Sequence, residues 1–314
     1  MSGGEFDFIE RFFRPLAGEG ALGLRDDAAL LDVPEGRQLI LSTDTLVEAV
    51  HFLPDDPAET VSRKLLRVSL SDCAAMGAVP RAYLLNISRP SGFDDLWFAS
   101  FSAGLAHDQA LYDVRLLGGD TTGTRGPLVL SLTIIGEVAR GRAVSRCGAK
   151  PGDRLWVTGT IGDGAMGLMA RLGEVPDADG YLTARYRLPQ PRLGFPVQNF
   201  ASAGMDVSDG LVQDAGHLAH ESGVGIDIEA EAVPLSPQVR ALGGAWLETC
   251  LTGGDDYELL FTAPEEASDA IRQASRQSGL EATPIGHVRE GSGVRVLNGA
   301  GRDVNLTRKG WQHF

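Results

Sequence analysis

Apolar positions recur along the chain with two periods, one helical and one of strand type. Phe6, Ile9, Phe12 and Phe13, with Glu10 and Arg11 between them, predict a short amphipathic helix. Leu24-Arg25-Asp26-Asp27 then sets two acids before a strand-like run, Ala28 to Leu31. Leu39-Ile40-Leu41 reads as the end of a buried strand, after which polarity flips to Ser42-Thr43-Asp44-Thr45. Asp56-Pro57 opens a helix, because Asp is a good N-cap and Pro suits the first turn. It runs to about Met76, with Gly77 at the C′ position. Val61, Leu65, Val68 and Ala75 trace one face of that helix, and Asp72 falls on the same face. A second helix is expected from about Asp94 to Leu111, with Trp97, Phe98, Phe101 and Leu105 facing the core. The strand Val114 to Leu117 ends in Gly118-Gly119-Asp120-Thr121-Thr122, and Leu128 to Ile135 forms another that leads to Gly136-Glu137-Val138.

Residues 140 to 152 are basic, Gly-rich and Pro-bearing, which places a domain boundary there and divides the chain into 1–140 and 141–314. Beyond it the strand Leu155 to Thr158 runs into Gly159-Thr160-Ile161-Gly162-Asp163-Gly164-Ala165-Met166-Gly167. This holds a formal G-x-G-x-x-G, the shape of a dinucleotide fingerprint. The acid expected at the end of the next strand is missing, since Gly173 to Tyr181 reads as a loop, so a glycine-rich strand-to-helix turn explains it as well. Met205-Asp206-Val207-Ser208-Asp209-Gly210 precedes a helix with Leu211, Ala215 and Leu218 on one face. Ser208 and Asp209 can cap that helix, but Asp206 lies before the cap. His217 and His220, with no acid or Cys nearby in that reading, are taken as structural or solvated. Gly253-Gly254-Asp255-Asp256-Tyr257-Glu258 echoes Gly118-Gly119-Asp120 and leads into Leu259-Leu260-Phe261. A helix from Glu265 to Ser278 and a β segment from Ile285 to Val296 follow. The tail, Thr307 to Phe314, ends in aromatics and so has reason to dock.

Composition narrows the function. A chain of 314 residues, 43% hydrophobic and 22% charged, suits a soluble protein of two domains or one large one. Its net charge of −14 repels nucleic acid, anionic membranes and free phosphates. A phosphorylated substrate would need local Arg and Lys or bound cations. Cys73, Cys147 and Cys250 are far apart and odd in number, which argues against a disulfide framework or zinc site and fits a reducing cytoplasm. The start lacks the basic flank and apolar core of a signal peptide, and no run is long enough to span a bilayer.

The acids carry the chemistry. Ser42, Thr43 and Asp44 are the oxygen ligands a hard cation such as Mg²⁺ prefers, although Ser, Thr and Asp also form turns. Asp72 on a core face costs several kcal/mol on order of magnitude unless it is paired or holds a metal. A salt bridge to Arg63, Lys64 or Arg67 is one solution and metal ligation the other. Arg146, in the basic stretch, is either part of a linker or a phosphate contact. Asp27, Asp44, Asp72, Asp120, Asp206 and Asp209 all stand at element ends or on a core face. Gathered carboxylates repel one another unless cations hold them. Two or more Mg²⁺ would do so and would let an acidic chain bind anions. That spells metal-assisted phosphoryl transfer without a P-loop. No Ser-His-Asp or Cys-His arrangement competes.

The chain resembles the thiamine-monophosphate kinase family across nearly its whole length. The resemblance rests on Gly4-Glu5-Phe6, Asp26 to Leu31, Ser42 to Val47 with His51-Phe52, Leu70 to Ala78, Gly118 to Thr122, Gly148 to Asp153, Asp206 to Gly210 and Gly253 to Leu259. It implies an α/β fold of two domains, shared with aminoimidazole-ribonucleotide synthetase. The N-terminal domain would dimerise by joining sheets into a barrel, and the C-terminal domain would complete the ATP and substrate site. It implies ATP-dependent phosphorylation of thiamine monophosphate to thiamine diphosphate by a cytoplasmic homodimer. Carried over by motif, Asp27, Ser42, Thr43, Asp44, Asp72, Asp120 and Asp206 hold Mg²⁺ and Asp209 holds another ion. Asp44, Asp72, Asp120 and Asp209 form the catalytic set. Gly119, Asp120, Arg146 and Ser208 contact ATP, and His51, Asp255 and Trp311 contact thiamine monophosphate. Two positions depart from the family pattern: Asp255 stands where Glu is common, and Trp311 where another aromatic is common. The rival readings are another ATP enzyme of the same fold, which would activate an amide or a selenide, and a non-catalytic nucleotide-binding protein. An array of acids at strand ends brings nothing to the latter.

Overall fold

Burial follows the two periods, with the longest apolar stripes forming helices and strands that divide between two units. The structure is a computed structural model describing residues 5–308, 310 and 311. One unit comprises Met1–Cys73 and Ala78–Gly141, and the other Ala74–Gly77 and Arg142–Phe314. Gly4, Lys309 and the tail residues Gln312 to Phe314 lie outside the described residues.

The first unit runs α1 (Glu5–Phe12), β1 (Arg37–Val47), α2 (Ala58–Ala75), β2 (Val79–Arg89), α3 (Asp95–Tyr112), β3 (Arg115–Gly123) and β4 (Val129–Ala139). Its sheet has the order β1-β4-β2-β3, with β2 and β3 parallel and the other pairs antiparallel. Asp94 caps α3 by accepting the Trp97 N–H at 2.8 Å. Helix α2 begins after Pro57, and Asp56 accepts the Leu53 N–H at 2.9 Å. Gly104 lets α3 approach α2, since a Cβ there would lie 2.4 Å from the Glu59 carbonyl oxygen. Leu65, Leu66, Phe98, Phe101, Leu130 and Leu132 are fully buried in this unit.

Three expectations are corrected here. Strand β1 does not end at Leu41 but continues through Ser42–Thr45 to Val47. Strand β3 likewise continues through Gly118–Thr122. Both polar stretches therefore lie along strands rather than at their mouths. Ala28 to Leu31 forms no strand: among the described residues its backbone bond is the Leu30 N–H to the Gly20 carbonyl, and Leu30 is exposed. Strand β4 is interior to its own sheet, and its Leu130, Leu132 and Ile134 are buried in the chain's own core.

The second unit runs β5 (Arg154–Thr158), α4 (Asp163–Arg171), α5 (Tyr181–Arg187), β6 (Ala203–Asp206), α6 (Leu211–Ser222), β7 (Gly225–Glu229) and α7 (Pro237–Leu242). It continues through α8 (Leu247–Thr252), β8 (Leu259–Ala263), α9 (Ser268–Ser278), β9 (Ala282–Arg289) and β10 (Gly293–Leu297). Its sheet has the order β10-β7-β9-β5-β8-β6, and only β10 with β7 is parallel among these pairs. Side chains alternate across β5. Leu155 and Val157 join the core under α6, whereas Trp156 joins Phe261 and Ile271 of α9 on the other face. Because β5 is antiparallel to both neighbours, the G-x-G-x-x-G that follows it is not a parallel dinucleotide-binding unit. Its glycines serve packing: a Cβ at Gly162 would meet Cys250, one at Gly164 the Asp255 backbone, and one at Gly167 the Leu182 carbonyl.

Candidate active site

The alternation of β1 sorts its polar residues onto two faces. Ser42 and Asp44 point toward α2. The Ser42 hydroxyl donates to Asp72 at 2.5 Å, and Ser69, one turn before Asp72, donates to Asp44 at 2.6 Å. Burial, then the neighbouring Asp72 charge, pushes the Asp44 carboxyl up to about 6, and the Ser69 hydroxyl only partly offsets this. Of the basic residues offered as partners for Asp72, Arg63 and Arg67 both bond to Asp108 of α3, at 3.1 and 2.6 Å. Lys64 donates to the His51 carbonyl. His51 itself accepts the Val47 N–H on Nδ1 at 3.0 Å, which leaves Nε2 as the protonated nitrogen of the neutral ring.

Thr43 and Thr45 occupy the other face, where they meet Thr133 and Ser131 of β4 at 2.7 and 3.0 Å. Register carries this row across the sheet from Thr45 through Ser131 and Asn86 to Asp120. The next row runs from Asp44 through the buried Leu132 and Leu85 to Gly119. Asp44 and Asp120 thus stand on opposite faces and opposite edge strands, about 14 Å apart at three strand spacings. Asp27 and Asp120 line one cleft of about 610 Å³ on this second face, together with Asn86, Thr133, Leu84 and Ile135. Gly119 allows the backbone to close there: its φ is +152°, and a Cβ would lie 1.8 Å from the Leu85 carbonyl oxygen. In this unit, then, the four aspartates predicted as ligands form two pairs, Asp44 with Asp72 and Asp27 with Asp120.

In the second unit the turn Asp206 to Gly210 is held in a way the sequence reading missed. Neither Ser208 nor Asp209 caps α6, whose N-cap Gly210 makes no side-chain bond. Instead Asp214, inside the helix, reaches back and accepts the N–H groups of Ser208, Asp209 and Gly210 at 3.0, 3.1 and 3.2 Å. Burial, with the Asp206 and Asp209 charges added, drives the Asp214 carboxyl well above the ordinary range. His217 is not remote from acids, as expected, but offers a ligand atom within 4.8 Å of those of Asp209 and Asp214. The loop before β8 runs alongside: Asp255 N–H donates to the Ser208 carbonyl at 3.0 Å and Tyr257 N–H to that of Val207 at 2.8 Å. The tail docks on the same turn, with Trp311 N–H donating to the Asp209 carbonyl at 2.9 Å and Gln213 donating to the Trp311 carbonyl at 2.8 Å. Ser208, Asp209, Asp255 and Trp311 are therefore brought together. Arg146 is exposed in the loop before β5.

A buried ionic network supports that loop. Asp256 is fully buried and accepts the Gly162 and Gly164 N–H groups at 2.7 and 3.0 Å. Glu258, also fully buried, binds Thr158 at 2.8 Å, Arg185 at 3.0 Å and Arg192 through both its oxygens. Sequence reading placed neither arginine. The available signal was the run of three acids in Asp255-Asp256-Tyr257-Glu258 just before an apolar strand, since buried acids need partners.

Comparison with known proteins gives this arrangement a context. Residues 25–138 match the family described as AIR synthase related protein, N-terminal domain, and residues 150–297 match its C-terminal domain. A thiamine-monophosphate kinase from Caulobacter vibrioides is 45% identical, the alignment covering 98% of this chain and 90% of that protein. The crystal structure of a thiamine-monophosphate kinase from Stenotrophomonas maltophilia K279a is 39% identical with a TM-score of 0.85, covering 97% of this chain and 99% of that one. A structure described as AaThiL complexed with AMPPCP and TMP is 34% identical with a TM-score of 0.79, covering 99% of this chain and 97% of that one.

Proposed function

The chain belongs to the thiamine-monophosphate kinase family, and from this we infer that it transfers the γ-phosphoryl group of ATP to thiamine monophosphate, yielding ADP and thiamine diphosphate. The observation that carries the reading is the full-length likeness to a protein bound to both AMPPCP and TMP. Nucleotide-sized space is present as well, because the 610 Å³ cleft beside Asp27 and Asp120 lies in the range of small-molecule sites.

Mg²⁺ fits the residues. The donors are hard oxygens, and the Asp44 carboxyl, pushed up to about 6 beside Asp72, is a strained charge that a dication relieves. We assign Asp27, Ser42, Thr43, Asp44, Asp72, Asp120 and Asp206 to several Mg²⁺ ions, more than one because Asp44 and Asp120 stand on opposite faces of their sheet, with Asp209 holding a further ion. Bound there, Mg²⁺ supplies neutralisation of phosphate charge in the transition state. The chain's own residues orient the reactants. Gly119, Arg146 and Ser208 contact ATP; His51, Asp255 and Trp311 contact thiamine monophosphate. Transfer is direct and in line, with no enzyme-bound phosphate. Burial, then the Asp72 and Asp44 charges, pushes the Cys73 thiol up to about 12, so it is no nucleophile at neutral pH.

The chain has an N-terminal domain, 1–140, and a C-terminal domain, 141–314; the observed units divide it near this point except that Ala74–Gly77 falls in the second unit and Gly141 in the first. The N-terminal one dimerises by joining sheets into a barrel. Support comes from Leu41 of β1, which is 65% exposed on the face away from α2. The setting is the cytoplasm, in keeping with three free cysteines, and no helix among the described residues is long and apolar enough to cross a membrane. One assay tests the function: ATP, Mg²⁺ and thiamine monophosphate are supplied and thiamine diphosphate is read by chromatography. Release of inorganic phosphate alone would defeat the reading.

A further inference from the structure

Asp214 is a carboxylate only half used. It is 1% exposed. Its Oδ2 takes all three backbone N–H groups of the turn, whereas its Oδ1 has no hydrogen-bond partner among the described residues. A buried polar oxygen in that state loses its hydration with nothing in return. The turn wrapped around Oδ2 carries Asp209, and His217 stands three residues on from Asp214, on the same side of α6. One ligand atom from each of the three lies within 4.8 Å of the others. With Oδ2 committed to the backbone, Oδ1 is the oxygen that Asp214 can offer.

We propose that Asp209, Asp214 and His217 bind a first-row transition-metal dication, of the Mn²⁺ or Zn²⁺ kind, at the start of α6. The donor set decides the class. Two carboxylates alone would suit Mg²⁺, but an imidazole nitrogen favours transition metals over it. The exposed His217 side gives the ion a way in. This rests on the kinase reading and deepens it: the further ion placed on Asp209 gains Asp214 and His217 as ligands, and the imidazole makes it a transition metal. The ion ties the Ser208–Gly210 turn to the body of α6 and stiffens the seat of the tail, because the Asp209 carbonyl receives Trp311 and the Asp209 carboxylate receives Gln213 at 3.1 Å.

The test uses the full chain with Mn²⁺ as the sole added metal and no nucleotide or thiamine monophosphate. Electron spin-echo modulation should show coupling of Mn²⁺ to an imidazole nitrogen, and the coupling should survive an excess of Mg²⁺. His217→Gln, a change at an exposed position, should remove the coupling and weaken Mn²⁺ binding about tenfold or more. Asp214→Asn, which keeps an oxygen for the turn, should weaken Mn²⁺ binding by a comparable factor. Absence of nitrogen coupling in the wild type, its persistence in His217→Gln, or unchanged affinity in Asp214→Asn would overturn the assignment. Since neither substrate is present, these outcomes are independent of the kinase assay.

Discussion

Replacing Asp44 with Asn should stabilise the metal-free protein while abolishing its activity. The carboxyl stands beneath α2 beside Asp72, and its pKa is raised from 3.8 to about 6. At about 1.4 kcal/mol per pH unit, the charged form carries about 3 kcal/mol of strain above pH 7. The sign follows from linkage. A folded-state pKa above the unfolded one means that the stability present at low pH is lost as pH rises through about 6. Asn removes the charge and keeps an oxygen for the Ser69 hydroxyl, which now bonds to Asp44 at 2.6 Å. In EDTA at pH 8, Asp44→Asn should therefore melt roughly 6–12 °C above wild type. The gap should close to under about 1 kcal/mol by pH 4, where Asp44 is neutral in the folded state and the unfolded carboxyl is near the middle of its own titration. Mg²⁺ with ATP should reverse the order, because wild type gains binding free energy that the variant has lost. Melting curves at the two pH values, with and without Mg²⁺ and ATP, are the assay. A variant less stable than wild type in EDTA at pH 8 would refute the reasoning, since Asp44 would then be an ordinary stabilising carboxylate.

Other parts of the structure make separate demands. Glu258→Gln leaves the buried Arg185 and Arg192 facing a neutral side chain, so it should cost about 3–5 kcal/mol; unchanged denaturant stability would show that the network is dispensable. Gly119→Ala drives a Cβ into the Leu85 carbonyl at 1.8 Å and should cost at least about 2 kcal/mol, read by thermal melting; a neutral effect would mean that β3 can slip without loss. Trp311→Ala should weaken thiamine monophosphate binding by about 1–3 kcal/mol and spare ATP, and an unchanged substrate dependence would reduce the tail to a structural role. Sedimentation at micromolar concentration should give the mass of a dimer; a monomer would sink the barrel.

Much of the fold could be read from the chain, and the misses have physical causes. The helices α2 and α3 were legible because Val61, Leu65, Phe98 and Leu105 repeat at helical spacing and are buried as that spacing requires. The strands came out too short because Ser, Thr and Asp read as turn formers. In β1 the period of two was present all along, with Ile40, Ser42, Asp44 and Leu46 on one face. Its polar members looked like a strand end only because their partners, Ser69 and Asp72, lie on a helix later in the chain. The support of the turn before α6 was missed for the same kind of reason. Sequence rules look for an oxygen before the helix that binds the helix's first N–H groups, whereas Asp214 within the helix binds the N–H groups of the turn before it.

How each buried acid is compensated separates scaffold from site more sharply than its position in a motif. Arg63 and Arg67 hold Asp108, and Arg185 and Arg192 hold Glu258. Asp227 is partly desolvated, yet Arg295 and Arg289 keep its carboxyl below the usual range. Each of these has guanidinium partners. Asp44 has one hydroxyl and a second carboxylate for company. Asp214 has three backbone N–H groups on one oxygen and, among the described residues, no partner on the other. In a chain of net charge −14 that has arginines to place, leaving these acids without one costs folding stability. An acid kept in that condition is available to a cation, which is what phosphate chemistry in an acidic protein requires. On the reading proposed above, a dication offsets this cost, and Asp44→Asn should stabilise the chain in EDTA while disabling it in Mg²⁺ and ATP.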